Sequence, residues 1–378
     1  MWTYKTLSRI DFRVIPLILI LMLVSLLVVA SYSLEPNLNS IEEPFFTPQV
    51  KRQMEGFLLG TLSFLFFAGF NYNKLREITW GLYALMLLAL IGLFFTDSIQ
   101  RVHRWYKIPF IGLSLQPSEY AKLVVVITLS WFLERRSAQA SQISTALLGG
   151  IIVGIPFLLI LKQPDLGTAL VLYPITLVMF YFGGIHPKVV KFMTICGALT
   201  LFLVALIFLR ILPHEEIRPY AAHFLKDYQF DRLDPNTHHQ KAAEIAIAVG
   251  GLTGSGWRKS EFSGNGFLPA PYTDSVFPAF GEEFGFFGLL VLLALYYALL
   301  YFSFQVTAVA KDHFGRLLSA GISVYLAMHI VVNIGMMCGL LPITGVPLVL
   351  VTYGGSSSLA TLTALGLLQS VYSRRFMF

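Results

Sequence analysis

With 378 residues, 56% of them hydrophobic and only 13% charged, this chain carries more apolar surface than one soluble core could bury. A water-soluble globular fold is therefore excluded, and a polytopic membrane protein is expected. The net charge of +6 is scattered in loop pairs, which fits attraction to anionic lipid and gives no support to nucleic acid as a partner.

A basic flank, Lys5, Arg9 and Arg13, precedes the first apolar stretch at 14–30, whose length favours an uncleaved helix over a signal peptide. Stretches of spanning length follow at 57–70, 79–95, 121–133, 146–161, 168–182, 192–212, 284–304, 317–341 and 347–370. The expected fold is all-α and polytopic, with about ten transmembrane helices, several of them short or tilted. Short loops rich in Lys and Arg stay cytoplasmic, and alternation puts Lys74/Arg76, Arg135/Arg136, Lys188/Lys191, Lys311/Arg316 and Arg374/Arg375 on the side of the N-terminus. Both termini are thus expected in the cytoplasm. The opposite side also carries cations (Lys51, Arg52, Arg101, Arg104 and Lys107), so this orientation rests on the regularity of the inside pairs. Cys196 and Cys338 fall in separate apolar stretches toward opposite faces, and no disulfide framework is implied.

A single membrane domain is expected over 1–378, with no internal repeat and no soluble domain at either end. Its large extracytoplasmic loop, 213–275, joins helices 7 and 8. Within the loop, 213–240 is polar and rich in His and Asp, and 241–252 is a short amphipathic stretch expected to lie on the membrane surface. His223, His238 and His239 lack a fourth ligand at recognisable spacing and read as exposed loop residues rather than a metal site. A segment rich in Gly, with Trp257, Arg258 and Lys259, then leads to Asp274, the mix expected where a backbone must approach a bulky anionic ligand.

The unusual polar residues all map to the outer side. Ser118, Glu119 and Lys122 begin the fourth helix, Asp165 lies between the fifth and sixth, and Asp274 precedes Glu282 and Glu283 at the eighth. Charges against lipid are expensive, so these residues are expected to face an interior cavity. Capping alone would explain Ser118 and Glu119, and Asp165 reads equally as a helix N-cap. Lys122 reads either as the helical partner of Glu119 or as a ligand for an anion. Of Glu282 and Glu283, one is expected to line the cavity and bond a neighbouring helix, the other to pair with a basic side chain. Arg104, Lys122, Arg258 and Lys259 are the candidate cations for a phosphate group, with Arg258 and Lys259 read rather as solvated or headgroup-contacting.

Seven motifs in order, Arg104-Trp105, QPSEYAK (116–122), QPDLGT (163–168), GGLTGSGW (250–257), FLPAPYTD (267–274), GEEFGFFG (281–288) and NIGMMCGLLPITGVPLVLVTYGGSS (333–357), resemble the SEDS proteins of bacterial shape, elongation, division and sporulation. The form GVPLVLVTYGG is more similar to the rod-elongation branch than to the division branch. The resemblance implies a ten-helix peptidoglycan glycosyltransferase in the cytoplasmic (inner) membrane. It would polymerise lipid II, the undecaprenyl-diphosphate-linked disaccharide-pentapeptide, at the outer face, with Asp274 matching the essential aspartate. The implied partners are a class B penicillin-binding protein and membrane proteins of the elongation complex. Substrate contacts are expected from Arg104, Glu119, Lys122, Asp165, Trp257, Glu282 and Glu283. No cofactor is written in the sequence, a divalent cation (Mg2+ or Mn2+) being the candidate.

The chain departs from the family pattern at Ala270, where Glu is usual, and at Tyr272 and Ser275, where His and Phe are usual. It departs also at Ala242 and Ala243, which stand for Gln-Ser, and at Thr352, which stands for Ser. Other readings are a lipid II flippase, because broken helices and buried charges also describe carriers, a division-type polymerase, and a non-catalytic scaffold that would leave the polar constellation unexplained.

Overall fold

The computed structural model describes residues 8–33, 45–96, 104–107, 114–221 and 230–376; Lys5, Arg101 and His223 lie outside them. Helices α1 (Val14–Tyr32), α2 (Pro48–Gly69), α3 (Leu75–Gly92), α4 (Pro117–Arg135), α5 (Ile143–Lys162), α6 (Leu166–Phe182) and α7 (Pro187–Phe208) come first. The large loop carries α8 (His214–Ala221) and α9 (His238–Gly250), and α10 (Val276–Val309), α11 (His313–Met337) and α12 (Gly355–Ser373) complete the bundle. Proline in the first turn starts α2, α4 and α7, where a missing N–H costs nothing. The only strands among the described residues are β1 (Tyr106–Lys107) and β2 (Ser114–Leu115), an antiparallel pair with Tyr106 opposite Leu115. Six of the described helices are long and apolar enough to cross a membrane: α1, α3 with its flanking turns, α5, α7, α10 and α11.

The core runs along α11, which packs against α4, α6, α10 and α12 and buries Leu317, Leu318, Ile322, Tyr325, Leu326 and Ile330. Helices α2 and α12 approach closely because small residues face each other; a Cβ on Gly366 would stand 2.6 Å from the Phe64 carbonyl oxygen. At one end of the bundle Arg76 bridges Glu134 at 2.7 Å and Asp312, the Tyr72 hydroxyl donates to Asp312 at 2.5 Å, and Arg374 donates to the Gly69 carbonyl at 2.8 Å. At the other end the starts of α4, α6, α10 and α12 converge.

One expected element differs, and a second gains detail. The apolar run 347–370 is helical only from Gly355, because Pro342, Gly345 and Pro347 interrupt the chain before it. The irregular stretch is nevertheless buried, with Val346, Leu348, Val349, Leu350 and Val351 each 2% exposed or less. Its polar backbone is satisfied from within: the Leu348 amide donates to the Thr352 hydroxyl at 2.8 Å and Asn333 donates to the Val346 carbonyl at 2.8 Å. Non-helical backbone at membrane depth requires such shielding. The stretch 241–252, expected on the membrane surface, turns its small residues Ala242, Ala243, Ala246 and Gly250 inward against α10. Ile245, Val249 and Leu252 face away from the protein.

Candidate active site

Helix α10 is broken at Gly285, whose φ of 64° and ψ of −167° leave the helical region. The loop that follows α9 repairs the break. Ser255 and Gly256 donate their amides to the carbonyls of Glu282 and Glu283, each at 2.9 Å, and the Phe286 amide donates to the Gly251 carbonyl at 2.9 Å. Only glycine fits at the crossing, since a Cβ on Gly285 would lie 2.3 Å from the Gly254 nitrogen.

The same loop occupies both buried carboxylates of α10. Glu282 accepts from the amides of Phe262 (2.8 Å) and Ser263 (2.9 Å) and from the Ser263 hydroxyl. Glu283 accepts from the Arg258 amide at 3.0 Å and from the Ser31 hydroxyl of α1. The expected division of labour, a cavity-lining acid and an ion-paired one, is therefore corrected. Both hold the loop, and of the expected roles Glu283 keeps the bond to a neighbouring helix, at Ser31, and the electrostatic influence of a basic side chain, Arg258. Trp257 and Arg258 anchor the loop to the end of α1 through the Leu27 and Ala30 carbonyls, both at 3.1 Å, with the Arg258 guanidinium 4.6 Å from the Trp257 ring. Arg258 is thus a loop anchor rather than a solvated cation, while Lys259 is exposed.

The loop delivers Asp274 to a place where its main chain is pinned residue by residue. The Tyr353 amide donates to the Tyr272 carbonyl at 2.9 Å, the Thr352 hydroxyl to the Thr273 carbonyl at 3.2 Å, and Asn333 to the Asp274 carbonyl at 3.3 Å. Gly345 lies beside the carboxylate, since a Cβ there would stand in ordinary contact with Asp274 Oδ2 at 3.8 Å, and its φ of 74° is a backbone conformation that favours glycine.

Three cationic or titratable side chains lie within electrostatic reach of the acid. His239 Nε2 lies 2.6 Å from the Ser275 hydroxyl. Arg232 donates to the Thr344 carbonyl at 3.5 Å, beside Gly345. Arg104 donates to the Gln163 carbonyl at 3.0 Å and to that of Pro164, in the segment whose Gly167 packs under the Thr344 carbonyl. Burial pushes the half-buried Asp274 carboxyl above the usual range, and the charges of His239, Arg232 and Arg104 pull it back. Burial also lowers the His239 imidazole below its ordinary value, with the charge of Asp274 opposing.

The remaining expected ligands are occupied elsewhere. Asp165 caps α6 by accepting from the Thr168 amide at 3.4 Å and ties it to the start of α4 by accepting from Ser118 (2.9 Å) and Gln116 (3.1 Å). Lys122 is wholly buried, 2.7 Å from Glu119 Oε1 and 2.7 Å from His329 Nε2, so neither Lys122 nor Glu119 presents a charge at the cleft. Of the expected substrate contacts, Arg104 alone is brought beside Asp274. The exposed-loop reading of His239 is overturned by its bond to Ser275, whereas His238 is exposed. Arg232 sits in a polar segment without a motif and carried no signal. Among the described residues no three His, Cys, Asp or Glu side chains cluster to hold a metal ion. One carboxylate and one imidazole facing two guanidiniums make a poor donor set for a resident Mg2+ or Mn2+.

The family model of the FtsW/RodA/SpoVE cell cycle proteins matches residues 12–375. The chain is 32% identical over 308 residues to the peptidoglycan glycosyltransferase MrdB of Escherichia coli K12, covering 78% of each. It is similar, with a TM-score of 0.75 and 25% identity over 98% of this chain and 99% of the other, to a chain of a peptidoglycan synthase complex that coordinates polymerization and crosslinking. An aspartate-to-alanine variant of the Thermus thermophilus rod shape determining protein RodA is similar with a TM-score of 0.70 and 25% identity over 98% and 99% of the two chains.

Proposed function

The chain belongs to the FtsW/RodA/SpoVE family of cell cycle proteins, and from that membership and the site around Asp274 we propose that it is a peptidoglycan glycosyltransferase that polymerises lipid II for cell elongation. The observation that carries the chemistry is one pinned carboxylate within electrostatic reach of two guanidiniums, Arg104 and Arg232. As an acceptor hydroxyl attacks the anomeric carbon of the donor, a new C–O bond forms and the bond to the lipid diphosphate breaks. Asp274 takes the hydroxyl proton. The diphosphate leaves as a stable anion, so it needs cations rather than a second carboxyl acting as acid, and Arg104 and Arg232 are the groups placed to supply them.

Similarity to MrdB and the motif 345–355 support the elongation role over the division role. Similarity to the synthase complex supports a class B penicillin-binding protein as partner, with elongation-complex membrane proteins around the pair. The protein lies in the inner membrane with ten spans (α1–α7 and α10–α12), both termini cytoplasmic and Asp274 outside. This topology predicts that, in a background carrying Cys196→Ser and Cys338→Ser, Asn265→Cys reacts with an impermeant thiol reagent on intact spheroplasts and Ala138→Cys does not. Both positions are exposed. The reverse pattern would place the chemistry in the cytoplasm.

Because burial raises the Asp274 carboxyl and the base must be ionised, glycan synthesis is expected to fall with decreasing pH through a midpoint above the ordinary aspartate value of about 4. A midpoint at or below that value would contradict the assignment. The function itself is tested with purified protein, its partner and labelled lipid II in detergent, where sidedness does not exist. A polymerase makes glycan chains there. Absence of polymer, together with lipid II translocation in reconstituted vesicles, would favour a flippase.

A further inference from the structure

The buried pair Glu119–Lys122 and the irregular stretch beside Asp274 are joined by one side chain, His329 of α11. A lysine ammonium has only donors, so His329 Nε2, 2.7 Å from Lys122 Nζ, must accept. The proton of the neutral ring is then on Nδ1, which lies 3.2 Å from the Pro347 carbonyl and donates to it. One turn further along α11, Asn333 donates to the adjacent Val346 carbonyl at 2.8 Å and to the Asp274 carbonyl at 3.3 Å. Two consecutive turns of one helix therefore grip consecutive carbonyls of a segment with no regular hydrogen bonding of its own. The residue before them, Gly345, faces Asp274 Oδ2. His329 is itself 1% exposed and far too enclosed to meet substrate.

We propose that His329 is a positioning residue for the transferase reaction. Its tautomer is set by the Lys122 ammonium, and it holds the 345–347 backbone in the place that shapes the pocket of the Asp274 carboxylate. On this reading Lys122 serves the reaction without touching lipid II. The Tyr325 ring, 4.6 Å from the imidazole and 5.3 Å from Lys122 Nζ, closes the side of the relay. Glutamine can replace the imidazole, since its carbonyl accepts from Lys122 and its amide donates to Pro347. Phenylalanine fills the space and does neither.

The inference rests on the proposed transferase activity, so wild type and Asp274→Asn accompany the test. With labelled lipid II in detergent and the partner present, His329→Phe is expected to lower kcat about 100-fold with KM within about 2-fold, the effect of a small misplacement at the reacting groups. His329→Gln is expected to return kcat to within about 5-fold of wild type. Thermal midpoints of both are measured alongside. If His329→Phe does not fold, His329→Asn replaces it, since the shorter amide cannot reach both partners. Its kcat is then expected to fall well below that of the glutamine variant. Unchanged kcat in the phenylalanine or asparagine variant, a rise in KM alone, or equal loss in the glutamine variant would overturn the inference. No glycan from wild type would instead overturn the transferase reading.

Discussion

Asp274→Asn is expected to lower glycan synthesis by about 1,000-fold, within the range a positioned general base supplies. The amide has the shape of the carboxylate and cannot take the acceptor proton. The bonds that place residue 274 run through main-chain carbonyls of Tyr272, Thr273 and Asp274, which the substitution leaves alone. Stability should hold or rise slightly. Burial raises the carboxyl, so the ionised form carries a desolvation cost above its titration point that a neutral amide lacks. Thermal unfolding in detergent and co-purification with the partner would check this side of the prediction. Substantial synthesis by a well-folded Asp274→Asn protein would remove Asp274 from the base role.

Lys122→Met should act in the opposite way, through the fold. Lys122 and Glu119 are buried within one turn of α4, and removing the ammonium leaves an uncompensated carboxylate in the interior. Breaking such a pair on one side costs roughly 3–5 kcal/mol, enough to lower the thermal midpoint sharply and reduce the folded yield. Adding Glu119→Gln to Lys122→Met should recover part of that loss, because the stranded charge is gone. A stable Lys122→Met protein with a raised KM for lipid II would instead mean that the lysine reaches the diphosphate.

The apolar helices were legible because hydropathy survives as a linear signal, and motif order singled out Asp274 as the candidate base. The roles of most other polar residues were not. Asp165 reads as a cap in sequence, and its cross-helix bonds from Ser118 and Gln116 exist only once α4 and α6 are packed. Glu282 and Glu283 looked like cavity acids because nothing linear shows that a loop some twenty residues earlier needs two acceptors where α10 is interrupted. His239 and Arg232 belong to a polar segment without periodicity, and only the folding of α9 onto α10 brings them to Asp274. Five family departures gain a local explanation. Ser275 shares a hydrogen bond with His239, and the Tyr272 ring meets Tyr353 edge-on at 5.6 Å. The substitutions at Ala242 and Ala243 fit the close packing of α9 on α10, and Thr352 supplies a hydroxyl to the Thr273 carbonyl. Nothing in the structure explains Ala270, a non-glycine residue at φ 50°.

The most direct test of a base within electrostatic reach of two guanidiniums is a structure of the protein with its partner and two non-reacting lipid II analogues bound. The account predicts the acceptor hydroxyl at hydrogen-bond distance, about 3 Å, from the Asp274 carboxylate, and the donor diphosphate against Arg104 and Arg232. A diphosphate seated at the end of the bundle that holds Arg76 and Asp312, or an acceptor hydroxyl out of reach of Asp274, would contradict it.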